Sequence, residues 1–267
     1  MAWLRNRGTH AVPDGQTVTP TDDVQILLNC ANIWNKAYTT IAQLLADSTT
    51  LQAVINSNNA IDYLVRSTTF ASSITANSTA MADIGGNNYA SNTLLVNSTW
   101  LTAICDSTYF ESVLNKKIPT MTSNTEPSGT CFGSSYFNVS HPYYCAFDGS
   151  TSTSWLPART SSSTGQYIGY TFPSNVKAYM YTLDYTEYTY TSKIVIQGSN
   201  GTWSNLTGTL TLAGQSSTAT LSLKNRFEQN VDEYTSYRIY ISQGTSVDGY
   251  AKCFCALRFN VYGREDV

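Results

Sequence analysis

The sequence predicts a multidomain protein with an α-helical N-terminal half and an all-β C-terminal half. Three observations support this fold class: a ten-residue period of apolar side chains, a heptad spacing just before it, and short alternating segments after residue 130. A fixed period held over many cycles indicates repeated structural units. Alternation of apolar and polar residues over short runs is typical of half-buried strands.

Two positions keep the ten-residue period independently. The apolar position is occupied by Val54, Leu64, Ile74, Ile84, Leu94, Ile104 and Leu114. The polar position is occupied by Ser48, Asn58, Thr68, Ser78, Asn88, Ser98 and Thr108. Because Ser, Thr and Asn cap helix N-termini, each unit predicts a capped helix of about two turns. Such helices are unstable alone, so residues 47–118 are predicted to stack as a stalk, which Gly85 and Gly86 interrupt with one irregular turn.

A longer helix is predicted before the repeats, over residues 21–46, with Thr21 as its cap. Its apolar residues have the three-and-four spacing of a coiled-coil seam: Val24, Leu27, Ala31, Trp34, Tyr38, Ile41 and Leu45. We expect this seam to drive self-association, and its bulky side chains favour a homotrimer over a narrow dimer. The alternative is one amphipathic helix that packs on its own domain.

The repeat fragment Asn77-Ser78-Thr79-Ala80-Met81-Ala82-Asp83-Ile84 resembles the ten-residue repeats of bacteriophage tail fibres and other virion fibre proteins. Residues 98–101 and 107–111 are variants of the same unit. The resemblance implies a virion protein. Residues 1–20 have no periodicity and are predicted to be an extended arm that becomes ordered on a partner. In a fibre, that partner would be a capsid or tail protein.

The C-terminal part, residues 130–267, is predicted to be a β-sandwich of jelly-roll type after a linker at 119–129. Its clearest predicted strands are 167–172, 193–198, 218–223, 237–241 and 256–262. They are rich in β-branched and aromatic residues and alternate in polarity. About eight such strands suit a sandwich.

The order of landmarks in this part is similar to that of the discoidin or coagulation-factor F5/8 type C family and of related galactose-binding-like carbohydrate-binding modules. The landmarks are Ala146-Phe147-Asp148-Gly149, Thr153, Trp155, the strand 167–172, the segment Ile196 to Trp203, Tyr237-Arg238-Ile239 and Phe259-Asn260-Val261-Tyr262-Gly263. The resemblance implies a galactose-binding-like sandwich. It also implies that Trp155 and Trp203 are packing residues of the core.

Members of that family often hold a structural calcium ion near the Asp of the Ala-Phe-Asp-Gly turn. Here the corresponding place on the last strand carries Arg258, and a guanidinium cannot ligate calcium. We therefore expect no cofactor, although calcium stays possible. Arg258 is expected to pair with Asp148 in place of the metal.

The resemblance places the ligand site in loops at one end of the sandwich. Sugars need flat aromatic faces for their C–H patches and planar polar groups for their hydroxyls. The predicted stacking residues are Tyr185, Tyr188 and Tyr190, and the predicted hydroxyl partners are Arg159 and His141. The alternative for the three tyrosines is an ordinary strand whose rings pack into the core.

Composition excludes several function classes. The net charge is −3, with 15 basic and 18 acidic residues, which argues against nucleic acid as a partner. No apolar run approaches the length of a membrane span. His141 and Cys145 match no known catalytic spacing, so an enzyme is not expected. The six cysteines are read as free thiols, with a bridge from Cys131 to Cys253 or Cys255 as the alternative.

Together these features predict a structural fibre of a bacteriophage particle, located on the virion after synthesis in the host cytoplasm. Its N-terminus would attach to the particle, with a head fibre slightly favoured over a tail fibre. Its C-terminal heads would bind host-surface glycans. The alternative is a bacterial surface adhesin or a carbohydrate-binding accessory module.

Overall fold

The computed structural model describes residues 10–11, 17–18, 23–158, 164–186, 192–212, 220–227, 232–244 and 254–265. The chain splits into two compact units, Met1–Val113 and Leu114–Val267. Within the predicted arm, the described residues form two short antiparallel strands, β1 (His10–Ala11) and β2 (Thr17–Val18). None of the described helices is long and apolar enough to cross a membrane.

The first helix, α1 (Asp23–Cys30), is much shorter than the predicted helix over 21–46. Asn32 adopts a left-handed conformation with φ 59°. The Ile33 N–H donates to the Leu28 carbonyl at 2.9 Å, and the Asn32 N–H donates to the Asn29 carbonyl at 3.0 Å. This pair of bonds is the Schellman ending of a helix, with Asn in the place that Gly often takes. The prediction of one continuous oligomerising helix is therefore wrong.

The predicted seam is divided by this ending. Val24 and Leu27 are buried inside the N-terminal unit, where α1 packs against helices of the repeat region. The other members are only half-buried: Ala31, Trp34, Tyr38, Ile41 and Leu45. The Tyr38 hydroxyl donates to the Asp47 carboxylate at 2.6 Å. The heptad spacing across residues 24–45 is thus not one helical face.

The repeat region folds into short helices, as predicted. They are α2 (Ile41–Ala46), α3 (Ser48–Ile55), α4 (Asn58–Arg66), α5 (Ala71–Thr75), α6 (Ser78–Gly86), α7 (Asn88–Leu95), α8 (Ser98–Asp106) and α9 (Phe110–Val113), with a 3₁₀ turn at Thr68–Phe70. All seven apolar residues of the ten-residue period are at most 1% exposed. The period therefore marks the buried face of each unit.

The helix caps lie one residue earlier than predicted. Asp47, Ser57, Asn77, Asn87 and Asn97 accept a hydrogen bond from the backbone N–H three residues later. The predicted cap residues, such as Ser48 and Ser98, are instead the first residues inside their helices. Both positions carry short polar side chains in every unit, so the composition alone did not separate them.

Each helix packs on the helix three units away, which makes the N-terminal unit a solenoid with about three units per coil. The packed pairs are α1 with α4, α3 with α6, α4 with α7, α5 with α8, and α6 with α9. The cap side chains also cross between coils. Asn87 donates to the Ile55 carbonyl at 3.3 Å, and Ser107 donates to the Thr75 carbonyl at 2.5 Å.

Gly85 and Gly86 do not interrupt the repeat, because both belong to α6. A Cβ atom on Gly85 would lie 1.8 Å from the Ser112 carbonyl oxygen, whereas one on Gly86 would meet nothing within 4 Å. Gly85 is therefore a close-packing position beneath the last helix of the unit.

The C-terminal unit is an antiparallel β-sandwich, as predicted. Its strands are β3 (Lys116–Lys117), β4 (Thr130–Gly133), β5 (Tyr167–Thr186), β6 (Ser192–Ser199), β7 (Trp203–Asn205), β8 (Leu210–Leu212), β9 (Leu221–Arg226), β10 (Glu233–Gln243) and β11 (Cys255–Arg264). The long strand β5 serves both layers. Its first half pairs with β4 and β10, and its second half pairs with β9 and β11.

The core lies between the two layers. Phe147 joins them, because its ring centroid is 6.0 Å from that of Tyr170 on β5 and 6.1 Å from that of Phe259 on β11. The unit also begins earlier than predicted. Ile118 and Met121 belong to this core, and the Asn260 side chain bonds both the N–H and the carbonyl of Ile118. The first residues of the predicted linker at 119–129 are thus part of the sandwich.

Candidate functional site

The predicted loop site is contradicted at one residue and lies mostly outside the described chain. Tyr185 is only 4% exposed, and its ring packs in the core at 6.0 Å from that of Phe254. The prediction that it stacks on a ligand is therefore wrong, and the alternative of a core tyrosine applies. Arg159, Tyr188 and Tyr190 lie outside the described residues, so their roles stay predictions.

His141 is held by the protein itself. Its Nδ1 lies 3.0 Å from the Ser154 carbonyl oxygen and 3.2 Å from the Ser154 hydroxyl, and its ring packs edge-on against Phe137. Nearby Cys145 is 3% exposed, and burial raises the pKa of its thiol to about 11. A thiol with that pKa is protonated at neutral pH and is a poor nucleophile.

The predicted pairing of Arg258 with Asp148 is wrong. Arg258 bonds Asp184 instead, with 2.6 Å between Nε and Oδ2, because the two face each other across β11 and β5. Asp148 accepts from the Ser150 N–H and the Thr153 hydroxyl, and these two hydrogen bonds close its turn. Among the described residues, no group of three or more His, Cys, Asp or Glu side chains is placed to hold a metal ion.

Five described cysteines are in the thiol form and make no disulfide bond. They are Cys30, Cys105, Cys131, Cys145 and Cys255. A bridge between Cys131 and Cys255 is therefore excluded, while Cys253 lies outside the described residues. Burial raises the pKa of Cys131 to about 12, so this thiol is a packing group of the core.

The two tryptophans of the sandwich have different roles. Trp155 is fully buried, and its Nε1 donates to the Ser135 carbonyl at 2.9 Å, which confirms it as a packing residue. Trp203 is half-exposed on the short strand β7, so its prediction as a core residue is wrong. The turn before it contains Gly201 with φ 123° and directs Trp203 back across β6, opposite Ser199.

Trp203 belongs to an aromatic group on the outward face of the first layer. On β10, Tyr237, Ile239 and Ile241 are buried, while the alternate residues Arg238 and Tyr240 are half-buried and point outward. Strand pairing places Arg238 between Gly169 on β5 and Gln197 on β6. The alternation of β10 thus places one cation on the outward face of a central strand.

The guanidinium of Arg238 is surrounded by three rings. Its Cζ lies 3.9 Å from the ring centroid of Trp203, 4.6 Å from that of Tyr167 and 5.3 Å from that of Tyr240. These distances are within the range of cation–π attraction. We call Tyr167, Trp203, Arg238 and Tyr240 the guanidinium platform.

Two neighbours fix the platform. Arg238 Nε donates to Gln197 Oε1 at 2.7 Å, and the Gln197 amide donates to Asn205 Oδ1 at 2.7 Å. Phe132 flanks the rings, with its centroid 5.9 Å from that of Trp203. A Cβ on Gly169 would lie 2.5 Å from the Phe132 ring and 2.8 Å from Arg238 Cβ. Gly169 therefore leaves the space in which these two side chains lie over the sheet.

The platform is electropositive. Burial among the rings lowers the pKa of Arg238 from its ordinary value, but a guanidinium stays charged at neutral pH. Among the described residues, no carboxylate lies within ion-pair distance of Arg238. This site was not predicted from the sequence, although the alternation in Tyr237-Arg238-Ile239-Tyr240-Ile241 indicates that Arg238 and Tyr240 share one face of the strand.

Comparison with solved structures finds carbohydrate-binding modules. Chitosan-binding module 1 of a chitosanase/glucanase from Paenibacillus sp. IK-5 is 22% identical, with 51% of this chain and 95% of that module covered and a TM-score of 0.39. The family 32 module of NanJ from C. perfringens, in complex with galactose, is 18% identical, with coverages of 53% and 98% and a TM-score of 0.39. The family 32 module of AlyQ, in complex with 4,5-unsaturated mannuronic acid, is 17% identical, with coverages of 49% and 92% and a TM-score of 0.36.

These similarities concern about half of the present chain and are distant in sequence. No protein-family model and no curated protein matches the chain. The sandwich is defined by its own strand pairing and core.

Proposed function

We propose that the C-terminal sandwich is a non-catalytic carbohydrate-binding head. The observation that carries this proposal is the guanidinium platform, where three aromatic rings are half-exposed around one cation on a sheet face. Aromatic rings offer a flat apolar surface with little conformational entropy to lose, which suits the C–H patches of a sugar ring. The resemblance of the sequence to galactose-binding-like modules supports the same function.

Polar groups beside the rings complete such a site. The amides of Gln197 and Asn205 lie next to Arg238, and the hydroxyls of Thr171 and Ser236 lie 2.9 Å apart one row away on the same face. Binding sites combine an apolar surface with a few placed polar groups that fix orientation. Arg159, Tyr188 and Tyr190, which lie outside the described residues, are proposed from the sequence as further sugar-binding residues of the same head.

We propose further that the chain is a bacteriophage fibre found on the virion. Residues 1–20 would attach to a capsid or tail protein, the solenoid would be the stalk, and the head would adhere to host-surface glycans. The resemblance of the ten-residue repeats to virion fibre repeats supports this proposal. A bacterial adhesin or a carbohydrate-binding accessory module fits the sandwich equally well. Labelling of intact virions with an antibody against residues 130–267 separates these possibilities.

A homotrimer is part of the fibre proposal, but the seam over 24–45 no longer supports it. Val24 and Leu27 are buried within one chain and are not available to a second copy. Several weak heads on one particle would still bind tightly through their high effective concentration. Light scattering of the full chain tests this part, and a clean monomer at micromolar concentration would contradict it.

The carbohydrate proposal is tested by applying the full chain to a glycan array beside its Trp203→Ala variant. We expect binding to at least one glycan class and a loss of that signal in the variant. An array without any bound glycan would contradict a carbohydrate-binding head.

A further inference from the structure

We propose that the guanidinium platform selects acidic glycans, in which a sugar carboxylate binds Arg238. This inference rests on the proposed carbohydrate-binding function and names the class of sugar. It concerns the face of the first sheet layer and not the loops at the end of the sandwich.

Arg238 has hydrogen-bonding capacity that the described residues leave unused. A guanidinium has five N–H donors in a planar fork that matches a carboxylate in two parallel bonds. Within the described part of the chain, one of these donors is used, from Nε to Gln197. The other donors are available to a ligand on the outward side.

Arg238 differs from three other cations of the chain, which are paired with carboxylates. Arg258 bonds Asp184, Lys36 bonds Asp47 and Lys116 bonds Glu265, each with an N–O distance of 3.0 Å or less. Arg238 is packed among rings and has no such carboxylate among the residues that the structure describes. A partly buried cation without an anionic partner is most stable when a ligand supplies the anion.

The guanidinium of Arg238 is pre-organised for binding a carboxylate. Trp203, Tyr167 and Tyr240 hold the guanidinium in place, so little side-chain freedom is lost when a carboxylate binds. The same rings exclude part of the water, which strengthens a charge-assisted hydrogen bond. The rings would contact the apolar face of the sugar that carries the carboxylate.

The residues around Arg238 on the outward face are uncharged. They are Ser236 and Tyr240 along β10, Gly169 on β5 and Gln197 on β6. Arg238 is the one charged residue of this group. The net charge of the chain is −3, so this face is a local departure from its overall charge. Charge complementarity therefore favours an anionic ligand here.

The test uses pairs of sugars in which one member is acidic and the other is neutral. The full chain is titrated calorimetrically with trigalacturonate against its carboxyl-reduced counterpart galactotriose, and with sialyllactose against lactose. We expect the acidic member of at least one pair to bind about tenfold more tightly or better, which is the usual size of a charge-assisted hydrogen-bond contribution. The preference should shrink in high salt.

Variants of Arg238 test whether its side chain binds the sugar carboxylate. Arg238→Gln should abolish the preference for the acidic sugar while weak binding of the neutral sugar persists. Arg238→Lys keeps the charge and loses the planar fork, so it should keep only part of the preference. Arg258→Gln is the matched control, because it removes the same charge from the other sheet layer and should leave the preference unchanged. Melting temperatures of all variants check that each is folded.

The outcomes separate this inference from the proposed function. Equal binding of acidic and neutral sugars would contradict the acidic selection and leave a carbohydrate-binding head. An acidic preference that survives in Arg238→Gln would place the carboxylate elsewhere and overturn the inference. Tighter binding of a single-stranded oligothymidine than of any acidic sugar would identify nucleic acid as the ligand and overturn both.

Discussion

The side-chain amide nitrogen of Asn97 donates to the carbonyl oxygen of Val65 at 3.1 Å, across one coil of the solenoid. The amide oxygen of the same side chain accepts from the N–H groups of Thr99 at 3.0 Å and Trp100 at 3.2 Å. One asparagine therefore caps its own helix and bonds the end of a helix in the preceding coil. Asn87 does the same with Ala90 and Ile55.

This double bonding explains why polar residues hold the ten-residue period so strictly. A helix of about two turns leaves many of its end groups without partners. Each of four cap residues accepts from a backbone N–H of its own unit and donates to a carbonyl of an earlier helix: Ser57, Asn87, Asn97 and Ser107. The Trp100 Nε1–H adds a further bond of 2.8 Å to the Leu64 carbonyl.

Asn97→Ala should lower the free energy of unfolding by roughly 2 kcal/mol. A lost cap costs about 1 kcal/mol, and a lost hydrogen bond to a partly buried carbonyl costs about as much again. Urea denaturation followed by helical circular dichroism measures this change.

Asn97→Asp separates the two contributions, because it keeps the acceptor and loses the donor. Asn97→Ser should recover much of the stability, since Ser57 and Ser107 donate to carbonyls of the preceding coil at equivalent positions. If Asn97→Asp is as stable as the natural chain, the bond to Val65 contributes nothing.

The two adjacent glycines of α6 should respond oppositely to alanine. At Gly85 a Cβ would collide with the Ser112 backbone, so Gly85→Ala should destabilise by about 1–3 kcal/mol, as overpacking usually does. At Gly86 the space is open, so Gly86→Ala should stabilise by up to about 1 kcal/mol through helix propensity. Thermal unfolding of the pair measures both changes, and equal effects would refute the close approach of α9.

Asp47 should make the N-terminal unit sensitive to acid. Hydrogen bonds from the Tyr38 hydroxyl, the Thr50 N–H and the Lys36 ammonium hold the pKa of its carboxyl well below the ordinary 3.8. A lowered pKa in the folded state contributes stability above the unfolded value, and this contribution is lost as pH falls below it. The stability difference between the natural chain and Asp47→Asn should therefore shrink between pH 7 and pH 3.

Asn is a matched replacement here, because Asn77, Asn87 and Asn97 cap later units at the same position. The variant keeps the oxygen that accepts from the Thr50 N–H, and it replaces the charged oxygen that accepts from Lys36, Tyr38 and the Thr50 hydroxyl with an amide NH2 group. Urea denaturation at several pH values measures the difference in the free energy of unfolding between the natural chain and Asp47→Asn. A difference that stays constant with pH would mean that the carboxylate has no special stabilisation.

Much of the N-terminal fold could be predicted because its period is local. The apolar set and the neighbouring polar set both lie within one helix, so sequence spacing reports their burial and capping. The arrangement of three units per coil depends on contacts such as Asn97 with Val65, which the ten-residue period does not encode. The heptad spacing over 24–45 predicted one helix, but Asn32 ends α1. The spacing of apolar residues carries no information about a left-handed conformation at Asn32.

The candidate site could be predicted only in part. The alternation of apolar and polar residues around Arg238 is enough to predict that its side chain points outward. The position of Trp203 instead depends on the turn at Gly201, which directs β7 across β6. A family resemblance based on the order of sequence landmarks places Trp203 at the end of a hairpin, but it does not show which face of the sheet the ring covers. Tyr185 illustrates the converse, since its polar neighbours suggested a loop while its ring is in the core.

The carbohydrate-binding surface itself is best tested by comparing Trp203→Ala with Tyr188→Ala in the full chain. Glycan binding and melting temperature are measured on the same samples, so that unfolding is not mistaken for a lost site. We expect Trp203→Ala to weaken binding about tenfold or more, as truncation of an aromatic hot-spot residue usually does, while the variant stays folded. Undiminished binding in Trp203→Ala, together with lost binding in a stably folded Tyr188→Ala, would contradict the platform and place the site in the loops.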